Sequence, residues 1–251
     1  MSSASSKSPA AHSLKALAFS DAKSRTLPYR LHRPPPSKTG ARRPLILFLH
    51  GAGERGSDNQ SQLVHGVQPL LTGAAALGEA LFLAAPQCPA EQTWVDAPWN
   101  TRSHTMPARP SAPMKLVLGL LEKLMQEEAV DPDRVYLTGL SMGGFGTWDL
   151  LQRRPGLFAA AIPICGGGDS RLANRFKNVP LWAFHGALDE AVIPFRSRAM
   201  VAALQKAGGR PGYTEYPGVG HNSWAPAYAN PAVLGWLLAQ HRTPARPGRT
   251  A

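Results

Sequence analysis

The sequence predicts an α/β domain with a mostly parallel central sheet and helices on both faces. Short continuous apolar runs at residues 44–50, 80–86 and 159–164 read as strands buried on both faces. Between them lie longer segments with apolar residues at helical spacing, and strands alternating with helices build a parallel sheet. At 251 residues, 43% of them hydrophobic, the chain can form one such domain with a substantial core.

In chain order, a modest alternating strand over 27–32 is followed by the spacer Pro34-Pro35-Pro36. The strand at 44–50 stops at a glycine-rich turn, Gly51-Ala52-Gly53-Glu54-Arg55-Gly56. A helix falls within 61–78 and the next strand at 80–86. Residues 87–113 carry prolines, Trp94 and Trp99 and no periodicity, and structureless segments of that length are commonly functional or disordered. Val117, Leu120, Leu121, Leu124 and Met125 mark a helix over 114–129, and Asp131-Pro132-Asp133 reads as a turn into a strand ending at Leu140. A helix from Met142 to Arg154 stops before Pro155. Strands follow at 159–164 and 180–184, then a helix over 195–207, a short strand at 213–216 and a last helix over 231–241. Only about sixteen residues separate Ile164 from Leu181, so no large cap domain is expected and the site should be open, overhung by 87–113.

The net charge of +11 is concentrated at the ends. Residues 1–43 hold nine Lys/Arg against one Asp, and 242–251 hold three Arg and no acid, which leaves 44–241 balanced. The organisation expected is a disordered basic tail at 1–23, a domain at 24–241 and a second basic tail at 242–251, with the tails dispensable for chemistry. No specific nucleic-acid binding is expected from such tails. Cys88 and Cys165 make neither metal spacing nor a disulfide framework, so a reducing compartment is the default. With neither a secretory apolar core nor a membrane-spanning run in view, a cytoplasmic protein is expected.

The chemistry is centred on Gly139-Leu140-Ser141-Met142-Gly143, between a strand and a helix. This is the G-x-S-x-G pattern in the setting it requires, a sharp turn that lifts a nucleophilic serine above the sheet. Its glycines keep β-carbons out of the place where helix doubles back on strand. A serine hydroxyl also needs a base, a residue that orients the base, and an oxyanion hole. Asp189 follows one later strand and His221 the last, giving the chain order Ser, Asp, His. Asp169, after Gly166-Gly167-Gly168, is the rival acid. His50 and His185 also close strands, and read as structural residues that hydrogen-bond loop backbone. Glu54 and Arg55 read as ties within the glycine-rich turn.

Together with Phe48-Leu49-His50-Gly51, Ala85-Pro86-Gln87-Cys88-Pro89, His185-Gly186 and Gly220-His221, these residues make the chain resemble the α/β-hydrolase fold serine esterases. The resemblance spans roughly 27–241 and is nearest to the phospholipase/carboxylesterase and dienelactone-hydrolase-like branch, including the group labelled predicted peptidases. It implies a triad of Ser141, His221 and Asp189 and an oxyanion hole of the Ala52 and Met142 backbone N–H groups, with no cofactor and no metal. Trp94, Trp99 and Trp224 are candidates to line the substrate pocket or to pack the core. The expected activity is hydrolysis of small-molecule carboxylic esters. A peptidase or amidase on the same triad and a catalytically silent binding module are the rivals, and oligomeric state is left open.

Overall fold

A computed structural model describes residues 14–242. Eight strands form one sheet in the order β1-β2-β4-β3-β5-β6-β7-β8. They are β1 (Leu14–Ser20), β2 (Thr26–His32), β3 (Arg43–Leu49), β4 (Phe82–Pro86), β5 (Val130–Leu140), β6 (Ala160–Ile164), β7 (Trp182–Gly186) and β8 (Gly212–Tyr216). β1 and β2 run antiparallel to their neighbours, and every pairing from β4 to β8 is parallel.

The faces of the sheet follow from residue alternation. Along β3, Leu45, Leu47 and Leu49 enter one core, while Ile46 and Phe48 enter the other. The first core is closed by α2 (Ala112–Glu127), α3 (Met142–Arg153) and α4 (Phe195–Lys206). The second is closed by α1 (Val67–Ala76), α5 (Trp224–Ala229) and α6 (Pro231–Leu238). Strands buried on both faces have no polar face to show, hence the unbroken apolar runs in the sequence.

Three expectations need correction. Residues 14–20 are a paired strand and not tail: Leu17 faces Tyr29 and Phe19 faces Leu27 in register, and the Phe19 ring covers Gly119 of α2. Asp21 makes the connecting turn, its carboxylate accepting the N–H groups of Lys23 and Arg25 at 2.9 and 3.0 Å. Such a segment becomes a strand only beside its partner, so its own composition is a weak signal. At the other end, Arg242 is engaged, donating to Asp133 Oδ1 at 2.8 Å. The remaining tail positions lie outside the described residues. Asp131-Pro132-Asp133 is the irregular opening of β5 and not a separate turn, and the β3–β5 register shifts between Arg43 and Leu45. α5, directly after His221, had no sequence signal beyond a short apolar stretch.

A chain starting at residue 24 should therefore be less stable than the full protein by on the order of 2 kcal/mol, since it loses one row of cross-strand pairs and the cover over α2. Urea unfolding followed by circular dichroism reads this directly, and an unchanged midpoint would mean that β1 adds no stability.

Candidate active site

β5 delivers Ser141 at the carboxyl end of the sheet, and α3 leaves at once. Ser141 has φ 53 and ψ −118, in a region where an L-residue with a β-carbon is strained. The strain is imposed by crowding: a β-carbon on Gly143 would fall 1.9 Å from Leu49 O. The Ser141 N–H is held by Ile164 O at 3.0 Å, which ties the turn to β6.

His221 reaches the serine from the loop between β8 and α5. Its Nε2 accepts the Ser141 hydroxyl at 2.8 Å, and its Nδ1–H donates to Asp189 Oδ2, also at 2.8 Å. These roles follow from the carboxylate, which when ionised can only accept. The imidazole is 29% exposed and the carboxylate fully enclosed. The two loops meet because Gly186 has no side chain: a β-carbon there would lie 2.0 Å from Gly220 O. Asp189 Oδ1 accepts the N–H groups of Ala191 and Val192 at 3.0 and 2.9 Å, which fixes the carboxylate plane. Burial pushes the Asp189 carboxyl up, but hydrogen bonds from His185, His221 and the Val192 N–H outweigh this and hold it well below the usual carboxylate range.

The other strand-end histidines have structural partners. His50 Nδ1–H donates to Gly51 O at 2.6 Å and Nε2 accepts the Cys88 N–H at 2.9 Å. Burial pulls its pKa down to about 4, so the ring is neutral. His185 is enclosed between Ser197 Oγ, at 2.7 Å from Nδ1, and Val192 O, at 2.8 Å from Nε2. Arg55 Nε donates to Ala52 O at 2.9 Å and braces the glycine-rich turn.

The N–H groups of Ala52 and Met142 begin a 3₁₀ turn (Ala52–Glu54) and α3 respectively, and neither has an acceptor among the described residues. First-turn N–H groups have no intrahelical partner and carry the positive end of the helix dipole, which suits them to an anion. Cys165 lies behind the serine, its Sγ taking the Ser141 N–H at 3.3 Å. Cys165 Sγ and the nearest ligand atoms of Asp189 and His221 fall within 4.8 Å of one another, but burial drives the thiol pKa upward and both imidazole nitrogens are already engaged. A metal would have to break that hydrogen-bond chain.

Asp169, the rival acid, is occupied elsewhere. Its Oδ2 accepts the Met106 N–H at 3.0 Å and Arg171 Nη2 at 2.8 Å, and the Arg171 guanidinium holds its carboxyl well below the usual range. It staples residues 87–111 to the catalytic face. Other staples are Arg153 Nη2 to Pro107 O at 2.7 Å and Ser111 Oγ to Trp94 O at 2.8 Å.

The three tryptophans separate. Trp94 is fully buried in the first core, its indole N–H donating to His50 O at 3.0 Å, so it braces the strand end and does not line a pocket. The acceptor at His50 O lets the whole indole be buried without an unpaired N–H. Trp99 is half-buried against the same core. Trp224 stands edge-on to His221, with ring centroids 5.3 Å apart at 89°. A groove of about 710 Å³ lined by Trp182, Gly212 and Trp236 opens at the amino ends of β7 and β8, the opposite end of the sheet from Ser141.

Arg196 had no sequence signal. It is 2% exposed, with no carboxylate partner among the described residues. Nη1 donates to Thr101 O at 3.2 Å, Nη2 meets His104 Nδ1, and the guanidinium lies 5.0 Å from the centroid of Phe145. Burial, then the nearby Arg196 charge, lowers the His104 pKa to about 4, which leaves Nδ1 free to accept.

The strand order, the serine turn and the loops carrying acid and histidine define an α/β-hydrolase fold. Comparison with known proteins agrees. The profile of the prolyl oligopeptidase family matches residues 113–175. The Arabidopsis thaliana carboxylesterase SOBER1 is 26% identical over 195 residues, covering 72% of this chain and 84% of its own length. The crystal structure of a thermostable esterase superposes with a TM-score of 0.84 at 39% identity, covering 91% of this chain. An uncharacterised secreted protein of Arthroderma benhamiae is 25% identical over 234 residues. The chain spans only 63% of the thermostable esterase and 23% of the Arthroderma protein. The chain has the α/β-hydrolase fold and is similar to carboxylesterases and an esterase. Among the described residues no helix is long and apolar enough to cross a membrane.

Replacing Arg196 by Met should free residues 100–106 while leaving the sheet intact, because Thr101 O and His104 Nδ1 lose their shared donor. Amide hydrogen exchange in that segment should rise by at least about tenfold, with a stability loss on the order of 2 kcal/mol. Unchanged exchange there would show that the other staples suffice.

Proposed function

We propose that this protein hydrolyses carboxylic esters through an acyl-enzyme intermediate. The observation that carries the reading is the unbroken chain of two 2.8 Å hydrogen bonds from Ser141 through His221 to Asp189. Ser141 Oγ attacks the ester carbonyl as His221 Nε2 takes its proton, and the C–O bond to the alcohol breaks as His221 returns that proton to the leaving oxygen. Water then repeats the sequence on the acyl-serine and releases the acid. Asp189 holds the imidazole in the Nδ1–H tautomer and balances the charge it acquires. The Ala52 and Met142 N–H groups take the oxyanion of each tetrahedral intermediate. The named carboxylesterase and esterase relatives support an ester substrate. The prolyl oligopeptidase profile, matched over 113–175, favours a peptidase as the second reading, though the match takes in Ser141 and neither Asp189 nor His221. A cytoplasmic site of action belongs to the same proposal, supported by two cysteines that are free and buried.

Ser141→Ala should lower hydrolysis of an activated ester by about 10³-fold or more and abolish labelling by a fluorophosphonate, with an unchanged circular dichroism spectrum. Labelling that persisted elsewhere in the chain would overturn the assignment. A small peptide cleaved faster than any ester of a graded panel would move the function to the second reading.

The two aspartates should respond differently. Asp189→Asn removes the acceptor that selects the tautomer, and kcat should fall by about 10⁴ at neutral pH, as the same change does in a serine protease. Asp169→Asn weakens a loop staple and should change kcat on the smallest acetate ester by less than about tenfold. Steady-state kinetics on both folded variants decides this, and the reverse order would transfer the acid role to Asp169.

A further inference from the structure

Glu54 ends the 3₁₀ turn that begins at Ala52. Its side chain is only 13% exposed, yet neither carboxylate oxygen accepts a hydrogen bond from the described residues. Oε2 is wholly shielded and lies 4.0 Å from His50 Nδ1, whose proton is already given to Gly51 O. Oε1 is 3.8 Å from His65 Nε2, beyond hydrogen-bond reach. Arg55 turns away, toward Ala52 O and Gln92 O. An ionised carboxylate can accept about four hydrogen bonds, and enclosing one with none is costly. Other carboxylates of this chain each accept at least one donor: Asp58 takes them from Gln60, Ser61 and Gln87, Asp169 from Met106 and Arg171, and Asp149, whose Oδ1 also lacks a partner, takes Arg153 at Oδ2.

The position of this unfilled carboxylate indicates what could fill it. A β-carbon built on Gly51 would lie 3.0 Å from Glu54 Oε2 and 3.6 Å from Ser141 Cβ, so a single glycine separates acid and serine. On its other side Glu54 faces His65, whose ring is 5.4 Å from Trp224, and Trp224 is 5.3 Å from His221. Glu54, His65, Trp224 and His221 thus form one continuous wall. His221 hands its proton to the departing oxygen, so the alcohol half of an ester lies along this wall. A carboxylate beside an aromatic ring suits an alcohol with several hydroxyl groups: O–H groups donate to the acid while the C–H face lies on the indole. Rotation about the last side-chain bond of Glu54 is soft, so either oxygen can turn to meet the donor.

We propose that Glu54 is a specificity-determining residue that accepts a hydroxyl of the alcohol half, and that the site prefers esters of polyols, sugars among them, to esters of simple alcohols. The inference rests on the esterase reading above, whose own failure would appear as a wild type inactive even on 4-nitrophenyl acetate.

The test uses acetate esters, so that the acyl-enzyme is common to all: 1-O-acetylglycerol, 6-O-acetylglucose, ethyl acetate, acetylcholine and 4-nitrophenyl acetate. The full-length wild type should favour the two polyol esters over ethyl acetate by at least about tenfold in kcat/KM. In Glu54→Leu the ratio of polyol ester to 4-nitrophenyl acetate should fall by about 10- to 100-fold, the range of a hydrogen bond to a charged group. Glu54→Gln keeps the shape and one acceptor oxygen, should fall between, and carries the comparison if the Leu variant fails to fold. A uniform loss on every ester, with the ratio unmoved, would make Glu54 a brace of the oxyanion loop and overturn the proposal. So would a wild type that favours acetylcholine, a cation without a donor, over both polyol esters.

Discussion

The first turn of α3 passes over the end of β3 at a separation that admits hydrogen and nothing larger. A β-carbon on Gly143 would fall 1.9 Å from Leu49 O, and one on Gly139 would fall 2.4 Å from Gly143 O. With strand and helix this close, the residue between them has to reverse the chain alone, and Ser141 does so at φ 53. A backbone of that kind costs on the order of 1–3 kcal/mol and persists only where its surroundings over-determine it. Here they do: β5 lies between β3 and β6, and α3 is buried along most of its length. The same reversal leaves the Met142 N–H at the open start of a helix and brings the glycine-rich turn after β3 alongside the serine. Ser141, the candidate oxyanion donors and Glu54 are therefore neighbours through one backbone contact.

Three histidines near the carboxyl ends of strands show how environment assigns different tasks to one side chain. His50 is enclosed, neutral and holds backbone on both sides, so it sets the shape of the glycine-rich turn. His185 is enclosed between Ser197 and Val192 and stands 3.2 Å from Asp189, helping to keep that carboxylate ionised. His221 alone joins an ionised acid on one nitrogen to a hydroxyl on the other while part of its ring remains exposed. General-base chemistry needs all three conditions together.

Residues 87–111 lack regular structure but are not loose. A charged or polar staple recurs every few residues: Trp94 to His50 O, Thr101 to Arg196, Met106 to Asp169, Pro107 to Arg153, and Ser111 back to Trp94 O. An unpaired buried Arg196 would be expensive, and ring and carbonyl contacts in place of a carboxylate leave it charged, its pKa lowered by burial to about 10. The segment thereby packs over the amino-terminal turns of α3 and α4 as part of the domain, with Trp94 as its plug.

Much of this was determined by the sequence alone. The buried strands are legible because a parallel sheet covered on both faces needs uninterrupted apolar runs, as in β3 and β6. The serine turn is legible because only glycine tolerates that contact, which writes the crowding into the chain as Gly139 and Gly143. The order Ser141, Asp189, His221 follows from the strands that precede them. Tertiary structure alone decided the rest, mostly because the deciding partner lies outside the residue's own segment. β1 is a strand through its pairing with β2. Trp94 is a core residue because His50 O, 44 positions away, satisfies its N–H. Asp169 turns from the imidazole because Arg171 and the Met106 N–H claim its carboxylate. Glu54 stands out only once the donors around it are placed: His50 and Arg55 donate to backbone oxygens, and His65 stands 3.8 Å away. Local pattern reports what a residue needs, whereas which neighbour meets that need is decided where the chain closes on itself.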